Sequence, residues 1–197
     1  MRNREVSCLG KKIKIRLINR IDYESIKDWG EEDGNFSYFP NSNFLQEVKS
    51  ENWIDRKLND ENGLYLSIIS LESNKIIGIT ILENIDFKNK NACWGIYIAY
   101  PEFRKLIFSL EPSYLIIEYA FHNLGLKKIY GNSLAINDRG RKFHEYMGFK
   151  EEAIFNNQVL INGVYIDLIW ISILNEEWQK KRLELAEYIN SHKDLNY

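Results

Sequence analysis

Asn137 and His144 stand seven residues apart, so a helix over this stretch carries both on one face, two turns from each other. A histidine with an ordinary pKa of ~6.5 can donate or relay a proton near neutrality. An asparagine at a helix start caps the helix with its side-chain oxygen, reaches a ligand with it, or does both. The pair suits proton-assisted group transfer; the plainer alternative is a capped surface helix with a half-exposed histidine. Upstream, Glu31, Glu32 and Asp33 lie between two glycines, with Trp29, Phe36 and Tyr38 around them. Such a loop can bind a cationic amine or take its proton through water, with the aromatics as pocket walls. A solvated acidic loop beside packed aromatics is the alternative.

Other chemistries find little support. His122, His144 and His192 are scattered and match no zinc spacing, so no metal is expected. Ser133 lacks the glycine elbow of a nucleophilic serine, and no Rossmann or Walker fingerprint is present. Cys8 and Cys93 are too few for a disulfide framework, which points to a reducing, cytoplasmic setting. The formal charge of −2 gives no general attraction to nucleic acid. No apolar run approaches the ~20 residues of a membrane span, and no signal-peptide core opens the chain.

The elements that must position these residues follow one alternating program. Ile13, Ile15 and Leu17 alternate with Lys12, Lys14 and Arg16, the period of a half-buried strand. Asp22 can cap a short helix to about Trp29, and a second helix is expected over 43–59. Strands follow at 64–71, 76–85 and 92–99, then a helix at 110–124, a strand at 128–134 and the short helix behind Asn137. Two long strands, 149–161 and 164–173, meet at Asn162-Gly163, a strong hairpin signal. A charged helix over 176–192, with Trp178, Leu183 and Ala186 inward, closes a single domain spanning 1–197. Strand–helix alternation after three antiparallel strands implies an α/β fold, a mixed sheet with helices on both faces.

This order, with Gly95-Ile-Tyr-Ile98 and Pro101, Ile117-Glu-Tyr-Ala-Phe121, Leu126-Lys-Lys-Ile-Tyr130, Asn137 and Gly148-Phe149, resembles the GNAT superfamily of acyl-CoA-dependent N-acyltransferases. The likeness is nearest the branch of ribosomal-protein N-terminal acetyltransferases and spans about Lys11 to Trp178. It implies a mostly antiparallel seven-stranded sheet and acetyl transfer from acetyl-CoA to a primary amine of a small molecule or a protein N-terminus. The thioester would lie between the strands 92–99 and 128–134, with pantetheine on the backbone near Ile98 and Ala99. The pyrophosphate would sit at Arg104, Lys105, Ile107, Phe108 and Ser109.

That last segment departs from the family, whose loop is rich in glycine. Arg104 and Lys105 can still neutralise phosphate, so either the CoA site is rebuilt or the segment packs its apolar side chains on a neighbour. His144 stands where the family has a tyrosine acting as proton donor to the thiolate, and Asn137 matches a cofactor contact. The family's glutamate base aligns with Cys93; a neutral thiol is a poor replacement, and a buried structural cysteine is the favoured reading, with a wall of the acceptor site as the alternative. Three changed positions leave two alternatives beside acetyl transfer: a binding or assembly module on the same fold, and an enzyme for another acyl-CoA. A homodimer through the 149–173 hairpin is compatible with all three.

Overall fold

A computed structural model describes residues 6–27, 29, 47, 48, 50 and 52–191 of the chain. Among these residues eight strands form one sheet: β1 (Ser7–Leu9), β2 (Ile13–Leu17), β3 (Leu64–Ser70), β4 (Ile76–Asp86), β5 (Asn91–Ile98), β6 (Lys128–Leu134), β7 (Lys150–Ile161) and β8 (Val164–Leu174). Their spatial order is β1-β2-β3-β4-β5-β6-β8-β7. The helices are α1 (Tyr23–Ile26), α2 (Trp53–Leu58), α3 (Leu106–Glu118), α4 (Asp138–Tyr146) and α5 (Asn175–Ser191). A π-helical turn, Tyr119–Asn123, extends α3.

The strands form where the pattern demands. In β2 Ile13 and Ile15 are fully buried between half-buried Lys14 and Arg16, and β3 is buried along its whole length because both of its faces are covered. At the β7–β8 turn Asn162 and Gly163 both take positive φ, 49° and 80°, the geometry of a tight two-residue hairpin. One face packs Leu110, Ile116, Ile117, Trp178, Leu185 and Ile189 of α3 and α5 onto the sheet. The other places Ile26, Trp29, Trp53 and Ile54 against Tyr65, Ile79 and Tyr97. Leu183, expected inward, is 67% exposed; Leu185 and Ile189 take the inner face of α5.

Four expectations change. The sheet has an eighth strand, β1, because the chain turns at Gly10 and lays Ser7–Leu9 antiparallel on β2. The buried Glu111 of α3 secures this turn by accepting from the backbone N–H groups of Lys11, Lys12 (2.9 Å) and Ile13 (3.1 Å). The first cap is Asn19, whose Oδ1 accepts from Ile21 and Asp22 N–H, while Asp22 turns inward to Arg16 at 2.6 Å. Helix α3 begins at Leu106, four residues before the expected start. Of the helix expected over 43–59, Glu47 and Val48 are helical and α2 covers Trp53–Leu58, with Ser50 and Asn52 non-helical between them; residues 43–46, 49 and 51 lie outside the described residues.

All neighbouring strands are antiparallel except β5 and β6, which pair in parallel at three positions, Asn91↔Lys128, Ala92↔Ile129 and Cys93↔Tyr130. Beyond Cys93 no further pairing joins them, although β5 runs to Ile98 and β6 to Leu134. The sheet thus opens as a wedge, which sets the site.

Candidate active site

Two elements frame the open end of the wedge. Past Ile98 and Ala99 the chain makes a 3-10 turn, Pro101–Phe103, and enters α3. The segment expected as a loop is therefore mostly a helical turn. Lys105 is its extended N-cap residue, and among the described residues no side chain caps the helix there. The Phe108 N–H already donates to the Lys105 carbonyl at 3.2 Å; the leading N–H groups ahead of it have no intrahelical acceptors and offer an anion the positive end of the helix. Ile107 and Phe108 turn towards the core, with the Phe108 ring edge-on to Phe103 at 5.0 Å. The Ser109 carbonyl accepts from the Ser113 hydroxyl at 2.6 Å. A helix supplies its N–H groups with any residue, so glycine is not needed for donors here.

Arg104 lies over the end of β5. Its guanidinium donates to the Ala99 carbonyl at 2.8 Å and reaches the Ile98 carbonyl at 3.4 Å. These are the backbone groups expected to receive pantetheine. Across the mouth, Arg139 in the first turn of α4 donates to the Arg104 carbonyl, linking the two elements. Sequence reasoning passed over Arg139; its position two residues after the capping Asn137 is the signal that would have found it.

The Asn137 Oδ1 accepts from Gly140 N–H at 2.9 Å, so it is the cap of α4. Two turns along, the His144 ring meets Trp94 edge-on at 5.7 Å and lies 6.1 Å from Phe149. Its Nδ1 is buried with no hydrogen-bond partner among the described residues. Burial in this aromatic surround lowers the His144 pKa to about 4. The ordinary pKa expected from sequence is therefore corrected: near pH 7 only about one ring in a thousand carries the extra proton. A neutral imidazole keeps one N–H donor and one acceptor nitrogen. Tyr146 is engaged elsewhere, 6.1 Å from Tyr188.

Cys93 marks the point where β5 and β6 part. It shares a face of β5 with Gly95 and Tyr97, opposite the face of Trp94 and α3. Burial first, and then the nearby Glu83, push its thiol up to about 11, so it stays protonated. Trp29 packs on this face, 5.7 Å from the Tyr97 ring. Glu31 and Glu32 lie outside the described residues.

A polar cluster unforeseen from sequence adjoins Cys93. Glu83 is its cross-strand partner on β4. The Tyr65 hydroxyl is 2.8 Å from Glu83 Oε1 and 2.8 Å from Asp60 Oδ2, and the Lys57 ammonium lies 3.0 Å from Glu83 Oε1. Burial and the two carboxylates raise the Tyr65 pKa, which keeps its proton in place. A cavity of about 390 Å³ lined by Glu47, Arg56, Lys57 and Asp60 opens beside it. Among the described residues no cluster of three or more His, Cys, Asp or Glu side chains suits a metal, and no helix is long and apolar enough to cross a membrane.

This architecture has relatives. The family model described as "Acetyltransferase (GNAT) domain" matches residues 15–170. Bacillus subtilis (strain 168) YdaF, which carries the name of a candidate ribosomal N-acetyltransferase, is 29% identical over 127 residues, covering 64% of this chain and 68% of that protein. The spermidine N(1)-acetyltransferase of Vibrio cholerae serotype O1 (strain ATCC 39315 / El Tor Inaba N16961) is 24% identical over 170 residues, covering 86% of this chain and 97% of that one. A Brucella melitensis GCN5-related N-acetyltransferase superposes with a TM-score of 0.79 at 20% identity, over 96% of this chain and 87% of its own. A Vibrio cholerae spermidine N-acetyltransferase crystallised with CoA and spermine gives 0.75 at 22%, over 85% and 98%. With the family model covering most of its length and the wedge in place, the chain belongs to the GNAT acetyltransferase family, the acyl-CoA-dependent N-acetyltransferases.

Proposed function

We propose that the protein transfers the acetyl group of acetyl-CoA to a primary amine, on a small cationic molecule or a protein N-terminus. The observation that carries this reading is the parting of β5 and β6 after Cys93, with the start of α3 and three basic residues at its open end. The leading N–H groups of α3, at Ile107 and towards Ser109, are assigned to the pyrophosphate, with the Lys105 and Arg139 charges beside them; the Phe108 N–H is taken by the Lys105 carbonyl. Arg104 is assigned a move from the Ile98 and Ala99 carbonyls to phosphate, which frees the β5 edge for pantetheine. When bound, acetyl-CoA supplies the activated acyl carbon.

Asn137 holds the start of α4 against the mouth. His144, neutral, directs its N–H towards the departing sulfur and acts as a hydrogen-bond donor there, not as an imidazolium acid. Trp29, Glu31, Glu32 and Cys93 are assigned to the acceptor side, where carboxylates favour an ammonium. The reduced thiols fit a cytoplasmic protein. The relative named for spermidine acetylation supports small amines as acceptors.

Calorimetric titration with acetyl-CoA, followed by thiol-release assays on spermidine and on short peptides with free N-termini, tests the reading. Saturable acetyl-CoA binding and turnover of either amine class are expected. Absence of binding at millimolar acetyl-CoA, or absence of turnover with every amine, rejects it.

A further inference from the structure

We propose that Glu83 is the catalytic base that takes the proton of the acceptor amine, acting from the strand next to the one where Cys93 stands. This inference rests on the acetyl-transfer reading and adds to it a residue and a direction of approach.

Glu83 and Cys93 are direct cross-strand partners, so their side chains rise from the same face of the sheet, at the level where β5 and β6 cease to pair. The Glu83 carboxylate thus stands one strand from the opening, beside Cys93, whose thiol stays protonated. The backbone favours this aim. The register of β4 with β5 shifts directly after Glu83, and Asn84 takes a left-handed φ of 52°, a local bulge that turns its strand. His144 meets the wedge from the other face, through Trp94. Base and leaving-group donor thus belong to opposite faces of the sheet.

The Tyr65 oxygen lies 2.8 Å from Glu83 Oε1 and 2.8 Å from Asp60 Oδ2, and one hydroxyl proton cannot fill both contacts. Lys57 donates to Glu83 Oε1 at 3.0 Å and to the Tyr65 oxygen at 3.2 Å, which leaves one short contact between oxygens without a proton. The cluster has a ready place for exactly one more. Its formal charge is −1, from the carboxylates of Asp60 and Glu83 and the ammonium of Lys57. Among the described residues Glu83 Oε2 accepts no hydrogen bond, so one oxygen remains for an incoming ammonium.

The substrate ammonium gives one proton to Glu83, and the freed nitrogen lone pair forms the C–N bond to the thioester carbon. The C–S bond breaks with its electron pair on sulfur, and the second proton lost by nitrogen ends on that sulfur as the thiol. Glu83 returns its proton to water, giving amide, free thiol and one proton. Asp60 shares the Tyr65 hydroxyl but follows α2 and is no cross-strand partner of Cys93, and it is not assigned to the step.

The test compares wild-type protein, Glu83→Gln and Asp60→Asn, with acetyl-CoA and the better of spermidine or a free N-terminal peptide. Glu83→Gln is expected to lower kcat/KM by ~10²-fold or more and to remove the acidic limb of its pH profile. Its acetyl-CoA affinity and circular dichroism should remain those of the wild type. Asp60→Asn should retain the wild-type limb; Lys57, Tyr65 and Cys93 are the other titratable groups facing Glu83 and are unchanged in both variants. Equal losses in both variants, or a wild-type rate in Glu83→Gln, overturn the assignment. An inactive wild type overturns the acetyl-transfer reading itself, and this inference falls with it.

Discussion

His144 shows how burial redirects a side chain's chemistry. Its ring lies among Trp94, Phe143 and Phe149, and charging it there forfeits hydration with no carboxylate to compensate. The folded pKa of about 4 is below the ordinary ~6.5, so the unfolded chain binds the proton more readily. The resulting stability is fully present above pH ~6.5 and is lost as pH falls towards ~4, on the order of 3 kcal/mol in all. Thermal melts from pH 7 to 4.5 should show a smaller loss for His144→Gln than for wild type; parallel losses would show that the ring titrates normally. A second prediction concerns Arg139, which bridges to the turn before α3. Arg139→Ala should raise KM for acetyl-CoA about tenfold with little change in kcat, since a charged phosphate contact is worth about 1.4 kcal/mol. Steady-state kinetics decides it, and an unchanged KM removes Arg139 from the cofactor site.

Among the elements, α3 carries the largest positional demand, because its N-terminus must meet the end of β5. Two anchors hold it. Glu111 collects three backbone N–H groups at the β1–β2 turn, and Glu118 takes both the Trp178 indole and the Arg182 guanidinium of α5. Removing the Glu111 carboxylate orphans three donors beside the core. Glu111→Ala should cost about 3 kcal/mol in chemical denaturation. Gly10→Ala should destabilise through the same contact, because its Cβ would sit 2.5 Å from the Glu111 carboxyl group. A normal midpoint in both variants would show that the turn is not held by α3.

Across the whole molecule, burial is uneven. β3 is covered on both faces, whereas β7 is an edge strand with Ile154 and Phe155 exposed. Amide exchange should be slowest in β3 and fastest in β7, because protection follows burial and cooperative opening. Protection of β7 matching that of β3 would mean that a second molecule covers this edge in solution. The wedge between β5 and β6 also depends on the global arrangement. Gly131 lets β6 pass close to β5, since a Cβ there would lie 3.0 Å from the Trp94 carbonyl oxygen.

Local patterns made much of this legible. The alternation of Ile13 and Ile15, the Asn162-Gly163 turn and the Asn137 cap each depend on residues within a few positions, so sequence alone determined the order of strands from β2 onward, the hairpin and the helix bearing His144. It also showed that residues 104–110 lack glycine, but the start of α3 at Leu106 depends on Glu111 and the sheet beneath, and a loop was expected instead. Only the tertiary structure decided that Trp94 and Phe149 would bury His144, that Arg104 would turn back onto Ala99, and that Glu83 would stand beside Cys93. Those outcomes follow from strand register and burial, which sum over residues distant in the chain, and no spacing along a single segment encodes them.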